Sequence, residues 1–344
     1  MIERTSAKVD KDTQSPRTVQ MHTSIKSTDI KEVWVDRYGV DESVDLIYTD
    51  RSSVIERQVG KHGDTSYHLQ AYIDSSEQRL WSDADAVSAR QSIEVVQNAA
   101  ALLEHKLRSR SWKCEPITLS GNIDCYHPIE RKVKTTRALL ELFVKYKHPV
   151  RIITKNTLIL RDMDLLVELA KHDLLEVCVP VATLHRDLHR ALEPSGAELQ
   201  RKMQMVKMLS TKGISVTITA APIVPGLNDE GIFTLVKVAA AHGATAVIPT
   251  VHPIGGAESA DFKQWARRHF PYRWRKVVRS VEEKHRAIFL ISDRQERMRK
   301  VRSMVTDIFS QFQIAANTYG VQLTSPLLNT RLYNGTATPQ MSFF

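Results

Sequence analysis

Four short stretches of this chain gather side chains able to hold a polar, partly anionic small molecule. They are Ser120-Gly121-Asn122-Ile123-Asp124 with the Cys125-Tyr126-His127-Pro128-Ile129-Glu130 that follows, Thr154-Lys155-Asn156, Thr183 with His185, and Pro222-Ile223-Val224-Pro225-Gly226-Leu227-Asn228-Asp229. Hydroxyls, amides and carboxylates direct hydrogen bonds, and Lys155 brings a compact positive charge suited to a carboxylate or phosphate. The same residue types also cap helices and form turns, so the pattern alone leaves both uses open. His185 and His189 are four apart and could share a helical face toward a metal, but no third ligand stands nearby in the sequence. The three cysteines, Cys114, Cys125 and Cys178, are scattered and read as buried structural thiols.

Each of these stretches follows a short apolar or β-branched run, at 116–120, 150–154, 175–181 and 214–221, and a fifth such run lies at 244–249. Between the runs, apolar residues recur at helical spacing over 135–146, 163–172, 195–212 and 230–242, with Gly213 and Gly243 where helices should stop. An earlier helix is expected over 94–107, where Val95, Ala99, Leu102, Leu103 and Leu107 repeat at three- and four-residue steps. Alternating strands and helices require a parallel sheet covered by helices, open or curled into a barrel, and ligands then collect at the carboxyl ends of the strands. Residues 1–30 are polar and read as a disordered tail, whereas 31–90 show apolar patches without a clear period. The α/β core spans 91–256, a helical extension 257–323, and a flexible Pro- and Asn-containing tail 324–344.

The formal charge of +9 is concentrated, since residues 262–302 hold fourteen Lys or Arg against four Asp or Glu. Such a field attracts nucleic acid, with Arg273, Arg275, Lys276 and Arg279 as phosphate contacts and Trp265, Phe270, Tyr272 and Trp274 interleaved for base stacking. A solvated helical face is the competing account of the charge, and packing of the aromatics. Few cysteines, no leader-like start and no apolar run of membrane-spanning length give a cytoplasmic protein with no membrane partner.

Several unusual strings then bear on family. Trp112-Lys113-Cys114-Glu115-Pro116-Ile117-Thr118-Leu119-Ser120-Gly121-Asn122-Ile123-Asp124 and Pro128-Ile129-Glu130-Arg131 are followed, in order, by His148-Pro149-Val150-Arg151-Ile152-Ile153-Thr154-Lys155-Asn156, Leu158-Ile159-Leu160-Arg161-Asp162, Leu192-Glu193-Pro194 and the Ala221 to Asp229 run. From about Gln91 onward the chain resembles radical S-adenosylmethionine proteins of the spore photoproduct lyase and DNA repair photolyase type. That resemblance implies a partial (β/α) TIM-type barrel holding S-adenosylmethionine against a four-iron four-sulfur cluster. It implies that Lys155 meets the methionyl carboxylate, that Ser120 and Asn122 lie on the cofactor rim with Thr183, and that Gly226 belongs to the turn near the adenine.

The family's cluster needs Cys-x-x-x-Cys-x-x-Cys, three thiolates from one loop with the fourth iron left open. The family's spacing puts that loop near Thr65 to Tyr72, which contains no cysteine, so 31–90 reads as its remnant and no cluster is expected. Two functions follow. One is a degenerate relative that keeps the barrel as a binding module; the other is an active enzyme with unusual cluster ligation acting on nucleic acid or an associated partner. At the end of the chain, Gln340-Met341-Ser342-Phe343-Phe344 resembles the short peptides that dock on the bacterial sliding clamp, with Gln340, Phe343 and Phe344 as the contacts.

Overall fold

A computed structural model describes residues 23–25, 45–59, 65–74, 81, 92–119, 123–194, 197–255, 258–289 and 291–335. The expected alternation is present. Strands β7 (Ile117–Leu119), β8 (Val150–Ile153), β9 (Leu175–Pro180), β10 (Ser215–Ile223) and β11 (Ala246–Val251) are successive parallel neighbours. Two further strands, β3 (Ile55–Val59) and β4 (Thr65–Leu69), extend the sheet to the order β11-β10-β9-β8-β7-β4-β3, with only β3 antiparallel. The fold is a partial (β/α) barrel.

Strand pleating divides the sheet into two faces. Val150, Ile152, Val177, Val216 and Ile218 point one way and are fully buried in one core with Leu139, Leu140, Phe143, Leu166, Val206, Leu209 and Val236. Those partners lie on helices α3 (Thr135–Tyr146), α4 (Met163–Ala170), α6 (Leu199–Thr211) and α7 (Ile232–Ala241). The other face is polar. There, Glu176 accepts hydrogen bonds from Arg151 Nε at 2.5 Å and from Thr217 Oγ1 at 2.6 Å, linking β8, β9 and β10. At Gly213 and Gly243 the backbone is left-handed, with φ of +78° and +86°, which glycine adopts without a Cβ penalty.

Residues 94–107 differ from the expected single helix. Strand β6 (Ser92–Val96) comes first and pairs in parallel with β2 (Asp45–Thr49); helix α1 (Ala99–Leu107) begins only after a turn at Gln97 and Asn98. Val95 and Val96 are β-branched and wholly buried, and cross-strand pairing with Tyr48 and Thr49 overrides the chance helical spacing of Val95 with Ala99 and Leu102. With β1 (Thr23–Ile25) and β5 (Tyr72–Asp74), these strands make a second sheet of order β1-β2-β6-β5. Pattern reading also passed over two short helices, α2 (Glu130–Val133) and α5 (Arg186–Leu192).

Helices α8 (Glu258–His269), α9 (Trp274–Phe289) and α10 (Arg294–Tyr319) complete the described chain. A second core of Trp81, Leu188, Phe262, Trp265, Phe270, Val278 and Val281 includes Val224 and Ile254, which follow β10 and β11. Helices α8 and α9 therefore sit on the carboxyl rim of the sheet. The described residues after α10 are also packed: Gln322 exchanges backbone bonds with Thr245 and Val247, Asn329 N–H donates to Asp173 O, and Asn334 N–H donates to Tyr146 O. No helix among the described residues is long and apolar enough to cross a membrane.

Candidate functional site

At the carboxyl rim, Asp124 fastens β7 to β8. Its Oδ1 accepts from Tyr126 N–H at 2.8 Å and Thr154 Oγ1 at 2.6 Å, and its Oδ2 accepts from Lys155 N–H at 2.8 Å. Asn156 Oδ1 caps the following turn through Leu158 N–H at 2.9 Å. Fixing its backbone this way leaves the Lys155 side chain as the free element, and among the described residues its ammonium has no hydrogen-bond or ion-pair partner. Ser120 and Asn122 lie outside the described residues, as do Gln340, Phe343 and Phe344.

Beside Lys155 stands a buried charged cluster that sequence pattern did not reveal. Lys202 on α6 is completely buried; its Nζ donates to Glu193 Oε2 and, at 2.9 Å, to Pro180 O at the end of β9. Burial lowers the affinity of this ammonium for its proton, and Glu193 opposes that shift. His189 is 3% exposed, with Nε2 3.3 Å from Ala197 O and Nδ1 3.6 Å from Glu193 Oε1. The available signals were the Leu192-Glu193-Pro194 string and the His185–His189 spacing, which flagged Glu193 and His189 without indicating that they meet each other and Lys202.

Other rim residues make bonds or close contacts within the fold. Thr183 Oγ1 accepts from His185 N–H at 3.1 Å, and His185 Nδ1 caps α5 through Leu188 N–H at 3.4 Å. His185 and His189 thus point to different tasks, and among the described residues no group of three His, Cys, Asp or Glu is placed to hold a metal. Asn228 joins β9 to β10, its Nδ2 donating to Ala182 O and Pro222 O, both at 2.8 Å, and its Oδ1 accepting from Val224 N–H. Gly226 has φ +83°, and a Cβ there would stand 2.6 Å from Ser280 O on α9. Close helix approach accounts for this glycine.

All three thiols are buried and free. Burial pushes Cys114 up to about 12 and raises Cys125 and Cys178 further, so none presents a ready thiolate. Cys178 lies within β9, Cys125 Sγ faces Ile153 O at 3.6 Å, and Cys114 precedes β7 in a left-handed conformation.

The strings that carried the family resemblance meet in space as structural joints. Glu130 is completely buried and accepts from Tyr72 Oη, Thr136 N–H and Arg161 Nη2; Asp162, equally buried, pairs with Arg161 at 2.7 Å and Arg137 at 3.0 Å. A second joint forms where Trp112 Nε1–H donates to His148 Nε2 at 2.9 Å.

The basic extension divides by burial. Trp265 and Phe270 are 3% and 5% exposed, so packing explains them and base stacking does not. Tyr272 is fully exposed, and Trp274 is half-buried with Arg267 and Arg275 at 4.4 and 5.4 Å from its ring centre. Arg273 contacts Asp187 at 3.5 Å and lies over Phe270, while Arg275, Lys276 and Arg279 are exposed. Tyr272, Arg273 and His269 line an open cleft of about 430 Å³ with Arg190 and Asp187.

No family model matches the chain. Uncharacterised proteins of Mycobacterium bovis and Mycobacterium tuberculosis are 30% identical over 190 residues, 54% of this chain and 56% of each relative. An uncharacterised protein of Methanocaldococcus jannaschii is 33% identical over 113 residues, 33% of this chain and 42% of that one. The chain therefore spans about half the length of the curated relatives it matches. Among solved structures, a variant of spore photoproduct lyase aligns with a TM-score of 0.47 at 11% identity, covering 78% of this chain and 79% of that one. A second variant, with bound AdoMet and dinucleoside spore photoproduct, aligns with a TM-score of 0.47 at 10% identity and the same coverage.

Proposed function

We propose that this chain is a radical S-adenosylmethionine-like barrel that works as a binding module without cluster chemistry, and that its basic extension binds single-stranded nucleic acid. The observation that carries the first part is the state of the cysteines. A cluster needs three thiolates converging on one loop, and these three thiols are dispersed, buried and held protonated. The residues present do not fit the cluster. They do fit an anion: Lys155 offers at the rim an ammonium with no partner among the described residues, suited to the carboxylate of S-adenosylmethionine or of a related amino acid.

Anaerobic reconstitution with iron and sulfide tests the loss of chemistry. The expected outcome is no visible thiolate-to-iron absorption and no iron retained after desalting. A retained cluster lost on Cys125→Ser or Cys178→Ser would instead establish an active enzyme with unusual ligation.

Support for the nucleic-acid surface comes from Trp274 with its two arginines and from the exposed Tyr272 beside Arg190 and Arg273. An aromatic face with adjacent guanidinium groups suits an unstacked base and its phosphate. Fluorescence anisotropy with a labelled single-stranded oligonucleotide should show salt-sensitive binding. Changing Arg273, Arg275, Lys276 and Arg279 together to Glu should weaken it at least about tenfold at low salt. Affinity unchanged by that variant would reduce the region to a solvated face.

A further inference from the structure

His189 is held between two acceptors, and no neutral form of its ring satisfies both. A neutral imidazole carries one N–H. With that proton on Nε2, the ring donates to Ala197 O at 3.3 Å and the lone pair of Nδ1 faces Glu193 Oε1 at 3.6 Å. With the proton on Nδ1, the mismatch moves to the Ala197 carbonyl. Both Nδ1 and Glu193 Oε1 are buried and lack a hydrogen-bond partner among the described residues. Only the doubly protonated ring donates on both sides, and leaving two buried acceptors opposed is costly.

Several charges face this gap from three elements. Burial is the main force against a second proton on the ring; Glu193, on the turn that ends α5, and the Ala197 carbonyl favour that proton, and Lys202 on α6 and Lys155 after β8 disfavour it. Asp124, after β7, acts on Lys202. The ring therefore accepts its second proton at lower pH than an exposed histidine does. Ala197 also connects the cluster to the rim, because its N–H donates to Lys155 O at 3.3 Å while its carbonyl receives His189.

We propose that His189 and Glu193 form a buried proton-uptake site that fills on acidification and strengthens the hold of the Lys155 rim on anions. Uptake closes the Nδ1–H···Oε1 contact and adds one positive charge next to Lys155. Binding and protonation are then linked reciprocally: an anion at the rim raises the proton affinity of His189 by the same factor that the proton raises anion affinity. This rests on the reading of Lys155 as an anion ligand.

Sulfate is the probe, since its charge is constant across the range, and the full chain is used throughout. The signal is the part of sulfate binding lost in Lys155→Met, which separates the rim from the basic extension. Between pH 7.5 and a pH below the observed His189 titration, where sulfate is still fully charged, this part should tighten about fivefold or more. The His189 ring resonances should titrate below the ordinary histidine range and move up when sulfate is saturating. Glu193→Gln, whose amide N–H can satisfy Nδ1 without a proton, should remain folded and lose the pH dependence, as should His189→Gln. The proposal is overturned if His189 titrates as an exposed histidine, or if its titration leaves sulfate affinity unchanged. Absence of any Lys155-dependent sulfate binding at either pH would overturn the anion reading and the coupling with it. A normal His189 titration with sulfate still bound would sink the proton site alone.

Discussion

At the scale of single residues, His148 shows how burial decides protonation. Trp112 Nε1–H donates to its Nε2, so that nitrogen carries a lone pair and Nδ1 carries the proton, aimed at Pro149 O 2.9 Å away. Burial holds His148 and His127 down to about 4. In the unfolded chain both titrate near 6.5, so between about pH 4 and 6.5 the unfolded state binds more protons than the folded one. Stability contributed by the neutral rings is complete above about pH 6.5 and declines as pH falls through that window, by up to about 3 kcal/mol for each ring. Unfolding free energies measured from pH 4.5 to 7.5 should show this slope. His148→Gln, whose amide can imitate both hydrogen bonds, should flatten it by about one proton, and an unchanged slope would remove His148 from the account.

Among the elements, the attachment of α9 to the rim depends on Gly226. Its φ of +83° strains any other residue, and a Cβ would meet the backbone of Ser280 and Val281 at 2.6 to 2.9 Å. Backbone cannot turn aside as a long side chain can. Gly226→Ala should therefore cost about 2–4 kcal/mol and loosen α8 and α9. Gly213 provides the control, since it has a similar φ but a Cβ added there would meet nothing within 4 Å. There the change to Ala should cost only about 1 kcal/mol. Denaturant unfolding of both variants, with limited proteolysis of the α8–α9 region, measures the difference; equal losses would mean that helix contact at Gly226 contributes nothing.

For the whole molecule, the residues after α10 matter more than their composition suggests. The stretch 324–344 reads as a flexible tail, yet its described part runs past the ends of α4, α3 and α1, after Gln322 has paired with the start of β11. Tyr333 Oη donates to Leu107 O, its ring meets His148 edge-on, and Val321 is buried beside the core. A segment tied to elements so distant in sequence closes large loops, and its loss frees them. Ending the chain after Gly320 should lower the thermal midpoint by more than 5 °C, corresponding to roughly 1–2 kcal/mol or more for a protein of this size. A midpoint within about 1 °C of the intact chain, allowing for the ~2–4 °C that each kcal/mol represents, would show that the segment is merely laid on the surface.

Local patterns determined strands β7 to β11 and the longer helices between them, though not the short α2 and α5, because pleat and helical period are written in neighbouring residues and glycines mark the helix ends. They also determined the missing cysteine loop, which is a matter of composition alone. Pairing and burial are non-local, and these only the tertiary structure decided. Strands β3, β4 and β6 carry weak periods of their own and exist through partners distant in the chain, as Tyr67 with Ile117 and Val95 with Tyr48. Trp265 and Trp274 look alike in sequence, yet one fills a core and the other lies beneath two arginines. At the rim, Asp124, Thr183 and Asn228 proved to be fastened within the fold, leaving the Lys155 ammonium without a partner among the described residues, beside a cluster whose members come from α5, its end and α6. Residue type states which bonds a side chain can make; only the folded chain states which of them are already made.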